Sequence, residues 1–349
     1  MKKLTCVVGT RPQLIKHAVL LPQLKKFFDV SSIDTHQHYD ADLNSAIKHD
    51  LYDNDPFVCL TPAEGFSNTE RLEKMVAEVS QVLTTNTTDA VLVYGDTDST
   101  LAGSIAAAKL CLRLIHVEAG ERSMNTQMPE EQNRIIADLL AHVHFCSSRP
   151  ALSHLKNSMN SGDIYYAGDL MKDLLMKKSS ELNFPLVEPP YFFCTIHRNY
   201  NQQNIWKLEK LLEVLQGIGV KTIFPLHPLT RKTLLDSGVE FSNYSCIQFA
   251  NPVSYLMSIH YQKYANCVIT DSGGMQKEAY WLKTPCVTFR KETEWPETLI
   301  GNWNQLVYDD IDSLPMVWKN TPDSSAYKDD LYGDGEASAF IASQLAALI

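Results

Sequence analysis

The chain has 349 residues, too many for one comfortable core and enough for two domains of ordinary size. Hydrophobic residues make up 44%, ample apolar material for two buried sheets. Thirty-one basic against 41 acidic residues leave a formal charge of −10, which argues against a nucleic-acid coat or an anionic membrane surface as partner. A small anionic ligand stays open, because a pocket needs only a few cations and backbone N–H groups.

The opening MKKLTCVVGTRP carries an apolar stretch stopped by Arg11-Pro12, so it reads as a first strand rather than a leader. No apolar run approaches the roughly 20 residues that span a bilayer. The eight cysteines are scattered, mostly inside apolar runs, and form no CxxC pair; they read as reduced residues of a cytoplasmic protein. From the N-terminus, strands are predicted over Leu4–Val8, Val30–Thr35, Ala90–Tyr94, Leu114–Val117, Val143–Cys146 and Ile164–Tyr166. Helices are predicted over Pro12–Phe28, Ser67–Leu83, Ser99–Leu110 and Glu130–Leu140. The alternation then restarts, with strands over Tyr191–Ile196, Lys221–Phe224, Cys267–Thr270 and Pro285–Phe289. Helices over Asn204–Gln216, Tyr255–Tyr261 and Gly274–Trp281 separate them, and Glu336–Leu348 closes the chain. Residues 176–190, rich in Lys, Ser and Pro, form the best linker candidate. The expected fold is α/β, with two Rossmann-like, doubly wound domains and an inter-domain cleft. The expected division is 1–170, with the last helix 336–349 packing back on it, and 171–335.

In such folds ligands bind beyond the carboxyl ends of the strands, so polar residues there are the first candidates. Gly9-Thr10-Arg11-Pro12, with Lys16 a turn later, offers a helix N-terminus and a guanidinium suited to phosphate; a plain strand–helix turn explains it equally. Ser272-Gly273-Gly274 opens a helix after a strand, either as a phosphate cradle or as a tight turn. Asp96 and Glu118 end neighbouring strands, where paired carboxylates suit acid/base chemistry; helix capping by Asp96 and a surface Glu118 are the bland alternative. Glu130 and Arg134 lie four apart in a helix start, which an ordinary surface pair would also explain. His197-Arg198 follows another strand and could face a diphosphate. The histidines show no metal-ligand spacing, and no metal is expected.

Together these segments resemble the non-hydrolysing UDP-N-acetylglucosamine 2-epimerase family. The carriers are Gly9–Lys16, Gly95-Asp96-Thr97, His116-Val117-Glu118-Ala119-Gly120, Pro129–Arg134, Gly168-Asp169, His197-Arg198 and Thr270–Ala279, in that order over residues 4–308. The resemblance implies a GT-B-like, two-Rossmann-domain isomerase with UDP mostly on the second domain. It implies diphosphate contacts from Ser272, Gly273 and Gly274, ribose contacts from Glu278, and Arg11, Lys16, Arg134 and Arg198 around the UDP-sugar. It assigns Asp96, Glu118 and Glu130 to proton transfer and His197 to the departing diphosphate, through elimination of UDP and readdition to a glycal. No cofactor is implied, and a cytoplasmic homodimer without nucleic-acid or membrane partners is. Gln37-His38-Tyr39-Asp40, Met128-Pro129-Glu130-Glu131 and Glu292-Thr293-Glu294-Trp295 resemble the subgroup acting on UDP-2,3-diacetamido-2,3-dideoxy-glucuronate, for surface polysaccharide. A uronate asks for an extra cation, for which Arg122 and Arg198 are candidates. UDP-N-acetylglucosamine as substrate, a hydrolysing epimerase, a GT-B glycosyltransferase and a non-catalytic UDP-sugar sensor are the competing readings.

Overall fold

The computed structural model describes residues 1–37, 48, 51–52, 55–62, 65–158 and 162–349. Of the expected subgroup signature, His38, Tyr39 and Asp40 lie outside the described residues. The chain divides into two compact units, Met1–Leu174 with Asp330–Ile349, and Leu175–Asp329. Among the described residues no helix is long and apolar enough to cross a membrane.

The first unit is built from β1 (Lys3–Val8), α1 (Arg11–Leu24), β2 (Asp29–Asp34), β3 (Phe57–Cys59), α2 (Asn68–Thr85), β4 (Ala90–Tyr94), α3 (Asp98–Lys109), β5 (Arg113–Val117), α4 (Pro129–Leu140), β6 (Val143–Cys146), α5 (Arg149–Ser158), β7 (Asp163–Tyr166) and α6 (Leu170–Ser179). Its seven strands lie parallel in the order β3-β2-β1-β4-β5-β6-β7. Both faces of the central strands are covered, which is why β4 reads as five consecutive buried residues rather than an alternation. One face packs Val7, Ile33, Val91 and Val93 against Val79 and Leu83 of α2 and Ala106 and Ala107 of α3. Helix α2 starts on a capping box in which Ser67 accepts from Glu70 N–H while the Glu70 carboxylate accepts from Ser67 N–H.

The second unit repeats the design with β8 (Tyr191–Thr195), α7 (Asn199–Gln202), α8 (Ile205–Ile218), β9 (Lys221–Pro225), α9 (Pro228–Asp236), β10 (Ile247–Ala250), α10 (Tyr255–Tyr264), β11 (Cys267–Thr270), α11 (Gly273–Trp281), β12 (Cys286–Thr288), β13 (Asn304–Leu306) and α12 (Leu314–Val317). The parallel order is β10-β9-β8-β11-β12-β13. Along β8, Phe192 and Cys194 enter the core beneath α8, and Tyr191 and Phe193 enter the core on the opposite face. Helix α8 is set by local chemistry: Asn204 caps its start, Leu208, Leu211, Leu212 and Leu215 give the buried stripe, and Gly219 ends it at φ 75°. The last helix, α13 (Ala337–Leu348), belongs to the first unit. It packs on α1, and its first N–H groups, from Ala337 and Ser338, donate to Asp173 at 3.0 and 2.7 Å. Phe340 meets Phe145 and Tyr165 edge-on.

Several expectations change. Helix α1 stops at Leu24, and β3, α5, α6, α9, β10 and β13 were not expected. The expected linker at 176–190 begins inside α6 and is tied to α10: Lys263 Nζ donates to the carbonyls of Ser179 and Leu182, and His260 Nε2 to that of Phe184. Five cysteines are buried; Cys59 and Cys111 are exposed, and all eight are free thiols.

Both sheets reverse their strand order beside the first strand, between β1 and β4 and between β8 and β11. Connections leave these paired strands toward opposite faces and open a crevice at their carboxyl ends. The first unit brings Gly9–Arg11 and Gly95–Asp98 to that edge. The second brings His197-Arg198 and Asp271–Gly274.

Candidate active site

At the first reversal point Gln13 holds the two strand ends together. Its side-chain oxygen accepts from Gly9 N–H at 2.9 Å, and its amide donates to Tyr94 O, Thr97 Oγ1 and Thr100 Oγ1 at 2.7–2.9 Å. Gly9 has to be glycine: an added Cβ would fall 2.0 Å from Thr35 Oγ1 and 2.2 Å from Ser99 Oγ, which hydrogen-bond each other. Thr97 rather than Asp96 caps α3, which removes helix capping as the explanation for Asp96. Arg11 is half-buried at the first position of α1.

Asp96 and Glu118 each carry a cation. Arg134 Nη2 pairs with Asp96, and Lys16 Nζ pairs with Glu118. The structure thus places Lys16 and Arg134, expected around the substrate, on the acids. Glu118 sits in the left-handed region at φ 66°, where a side chain is strained. That turn lays its carboxylate on Gly95, itself at φ 63°: a Cβ built on Gly95 would stand 3.2 Å from Glu118 Oε2. The two carboxylates therefore belong to adjoining backbone. The bland alternative, a Glu130–Arg134 surface pair, is not formed, because Arg134 turns to Asp96 and, at 2.9 Å, to Glu131. Burial works against the Arg134 charge, but the two carboxylates outweigh it and hold its pKa above the ordinary value. Glu130 is half-buried in the first turn of α4, while its neighbour Glu131 is buried. Glu131 accepts from Ser123 N–H, the Ser123 hydroxyl and Met124 N–H at 2.8–3.3 Å. Burial pushes the Glu131 carboxyl up, but Ser123 and Arg134 together hold it below its usual range. Asn133 donates to Asp96 O and Asp98 Oδ1, fastening α4 to the loop after β4.

Asp138, one turn further along α4 and 1% exposed, anchors the same loops from beneath. It accepts from His116 Nδ1 at 2.7 Å, Arg122 Nη1 at 2.7 Å and Gly120 N–H at 3.2 Å. Arg122, considered for a sugar carboxylate, is thereby engaged within the unit. Gly120, at φ 82°, passes so close to α5 that a Cβ would fall 2.4 Å from Ala151 O.

In the second unit Asp271 plays the matching part. Fully buried, it accepts from His197 N–H, Arg198 N–H and Asn201 Nδ2 at 2.8–3.2 Å, and His197 Nδ1 lies 3.1 Å away. Nδ1 is thus the ring nitrogen turned toward Asp271, and Nε2 the one turned from it. Ser272 caps α11, accepting from Met275 N–H, and Gly273 and Gly274 are its first residues. A Cβ on Gly273 would stand 3.5 Å from Trp295 Nε1, 3.8 Å from Glu294 Oε2 and 3.9 Å from Arg198 Nη2, so the guanidinium lies beside the helix start. Arg198 Nε is buried without a hydrogen-bond partner among the described residues. Arg290 grips Glu294 through two bonds of 2.7 and 2.8 Å. Glu278, on the same helix, is buried and accepts from Gln262 Nε2 at 2.8 Å.

The structure thus groups Asp96, Glu118, Lys16 and Arg134 in one unit, with Glu130 on the adjoining helix. It groups His197, Arg198, Ser272, Gly273 and Gly274 in the other. Asp138 was not singled out from sequence, and Gln13, Glu131, Asp271 and Glu294 only as parts of motifs. Asp138 had a signal, a lone acid inside the apolar run Ile135-Ile136-Ala137-Asp138-Leu139-Leu140. Among the described residues, Asp34, His36 and Cys59 bring possible metal-ligand atoms within 4.8 Å of one another. The Lys48 ammonium stands there, 2.6 Å from Asp34 and 3.8 Å from Cys59 Sγ, and supplies the positive charge.

Known proteins resemble this chain over nearly its whole length. A model of the UDP-N-acetylglucosamine 2-epimerase family matches residues 23–346. A UDP-N-acetylglucosamine 2-epimerase homolog of Methanococcus maripaludis is 36% identical over 351 residues, covering 97% of this chain and 98% of its own. The UDP-2,3-diacetamido-2,3-dideoxy-D-glucuronate 2-epimerase of Pseudomonas aeruginosa is 34% identical over 359 residues, covering 99% of this chain and 100% of its own. The crystal structure of Methanocaldococcus jannaschii UDP-GlcNAc 2-epimerase in complex with UDP-GlcNAc and UDP superposes with a TM-score of 0.85 over 99% of each chain, at 31% identity.

The depressed Glu131 pKa gives a stability prediction. A carboxylate held below its unfolded value stabilises the fold above that value, about 4.3, and loses the contribution as pH falls through the folded one. Glu131→Gln should lower stability at pH 7 by about 1–3 kcal/mol, since an amide N–H2 meets donors. It should also flatten the loss of stability below about pH 4. Urea midpoints measured from pH 7 to pH 2.5 check both.

Proposed function

The chain belongs to the UDP-N-acetylglucosamine 2-epimerase family and is a UDP-sugar 2-epimerase; from that premise we propose which residues perform the reaction and which sugar they take. The observation that carries the reading is the contrast between the reversal points: paired acids at one, and a histidine, an arginine and a Gly-Gly helix N-terminus at the other.

The diphosphate is assigned to the second unit. Ser272, Gly273 and Gly274 present N–H groups at the positive end of α11, with Arg198 beside them. Glu278 is assigned to the ribose and Arg11 to the phosphates, as in the family resemblance. His197, oriented by Asp271, is assigned to the departing diphosphate oxygen. The acids of the first unit handle the C2 proton. A base removes it while the C1–O bond breaks and UDP leaves with the electron pair, giving a C1–C2 double bond. UDP then adds back to C1 as a proton reaches the opposite face of C2. A sugar C2–H is a weak acid, so stabilising the leaving diphosphate carries much of the barrier lowering. Asp96 is assigned as one proton carrier, with Glu118 and Glu130 completing the set. Lys16 and Arg134 offset the charges of Glu118 and Asp96, which lets two carboxylates stand on adjoining backbone.

For the sugar we favour UDP-2,3-diacetamido-2,3-dideoxy-glucuronate, on the way to surface polysaccharide. The full-length similarity to the Pseudomonas aeruginosa enzyme and the Glu294-Trp295 loop around Gly273 support it. With Arg122 held by Asp138, Arg198 is the arginine assigned to the C6 carboxylate. UDP-N-acetylglucosamine is the alternative, supported by the similarity to the archaeal proteins. A panel of UDP-sugars incubated in D2O and followed by NMR decides between them. The same reading includes a cytoplasmic homodimer, which would sediment at about twice the 39.4 kDa chain mass; sedimentation at the monomer mass would remove the dimer.

Asp96→Asn should keep UDP affinity and lose C2 deuterium exchange by about 10²–10⁴-fold. Normal exchange would take Asp96 out of the proton path. Gly273→Ala meets no protein atom nearer than 3.5 Å, so the fold should tolerate it. Its methyl occupies the line of phosphate approach, and UDP affinity by calorimetry should fall about tenfold, ~1.4 kcal/mol. Unchanged affinity would move the diphosphate elsewhere.

A further inference from the structure

We propose that Asp138 and His116 form the positioning pair for the proton-transfer acids, a role that rests on the epimerase reading and adds two residues to it. His116 is completely buried on β5 and joins both loops that matter. Its Nδ1 lies 2.7 Å from Asp138 Oδ1, and its Nε2 lies 2.8 Å from the carbonyl oxygen of Gly95, the residue before Asp96. A carboxylate and a carbonyl only accept, so the bridge is complete only when both ring nitrogens donate. Asp138 continues the chain to Gly120 N–H and Arg122, on the loop that begins with Glu118. His144 Nε2 donates to the backbone carbonyl of Asp138 at 2.8 Å and fixes that residue from a further side.

The pair therefore spans the carbonyl that precedes one acid and the backbone that follows the other. Both loops rest on left-handed turns, with Gly95 at φ 63°, Glu118 at φ 66° and Gly120 at φ 82°. Of these only Glu118 is strained; such a residue persists where surrounding contacts over-determine it, and these hydrogen bonds supply the contacts. Burial alone would push the Asp138 carboxyl up, but His116 and Arg122 hold it below its ordinary range, so it stays an acceptor for all its donors. Neither residue is assigned contact with substrate; they act through Asp96 and Glu118.

Asp138→Asn is the test, because it keeps the shape and replaces one acceptor oxygen by a donor facing Arg122 or His116. UDP titration first counts competent sites, and rates are expressed per site. UDP affinity should be unchanged, since the diphosphate is assigned to the other unit. Epimerisation per site should fall by about 10²-fold, the scale of an ångström-level misplacement. A larger share of turnovers should end as free UDP and glycal, a partition that loss of folded protein would not alter. Wild-type rate per site with wild-type partition would overturn the proposal. If the wild-type protein exchanges no C2 proton in any UDP-sugar, the epimerase reading itself falls. Should the variant not fold, 15N NMR of the wild-type protein gives the answer, with the His116 signals identified by their absence in His116→Gln. Two protonated-type ring nitrogens at neutral pH support the bridge, and one unprotonated nitrogen overturns it.

Discussion

Two buried carboxylates, Asp138 and Asp271, carry the arrangement at the two reversal points. Removing a carboxylate from water is expensive unless cations or N–H groups replace the solvent. Here each gathers its donors from the end of a strand and the loop that follows it. Asp138 collects His116, Gly120 and Arg122, and Asp271 collects His197, Arg198 and Asn201. The need of each buried acid for partners thus becomes a constraint on the loops beyond the strands. A carboxylate suits this purpose better than an amide because it accepts in several directions and offers no donor.

Charge is distributed to match. The chain is acidic as a whole, yet the second reversal point presents His197, Arg198 and the N-terminus of α11. Around them, Glu294 is balanced by Arg290 and Asp271 is surrounded by donors, so neither cancels the local positive field. In the first unit the acids come already paired with Lys16 and Arg134. A long-range field would be screened at cellular salt, whereas contacts of this kind survive it because they are short and half-buried. This accounts for an acidic protein handling an anionic nucleotide-sugar.

Much of the architecture was legible because parallel strands covered on both faces are continuous apolar runs. β4, Ala-Val-Leu-Val-Tyr, and β11, Cys-Val-Ile-Thr, could hardly be anything else. The missed elements lack that signal. β3 is a three-residue edge strand, and β13 reads Asn-Gln-Leu. Helix α5 begins Arg-Pro and carries two serines and a histidine, and α6 merged with a Lys/Ser-rich stretch resembling a linker. In the site, Asp96, Glu118 and His197 were visible because strand-end position is a property of local pattern. Their partners were not. Nothing in sequence spacing says that Lys16 reaches Glu118, 102 residues away, or that Arg134 prefers Asp96 to the nearby Glu130. Those choices are made by tertiary geometry: Glu131 takes the buried phase of α4 and, with Asp96, captures Arg134, so Glu130 is left out of the ion pair.

Backbone strain explains why Glu118 sits where it does. Had Glu118 continued β5 in extended form, its side chain would have followed the alternation of the strand toward one face of the sheet. At φ 66° the chain turns immediately after Val117, and the carboxylate comes over Gly95, which has no Cβ to obstruct it. Ala119 N–H then donates to Phe145 O and Gly120 N–H to Asp138, so the turn is pinned on its far side within two residues. A left-handed non-glycine residue costs on the order of 1–3 kcal/mol and would relax without such pins. The fold therefore spends several buried hydrogen bonds on keeping one carboxylate out of its natural strand direction. Among the described residues Glu118 is the one acid held at positive φ, and this fixed placement beside Gly95 is what the role proposed for it requires.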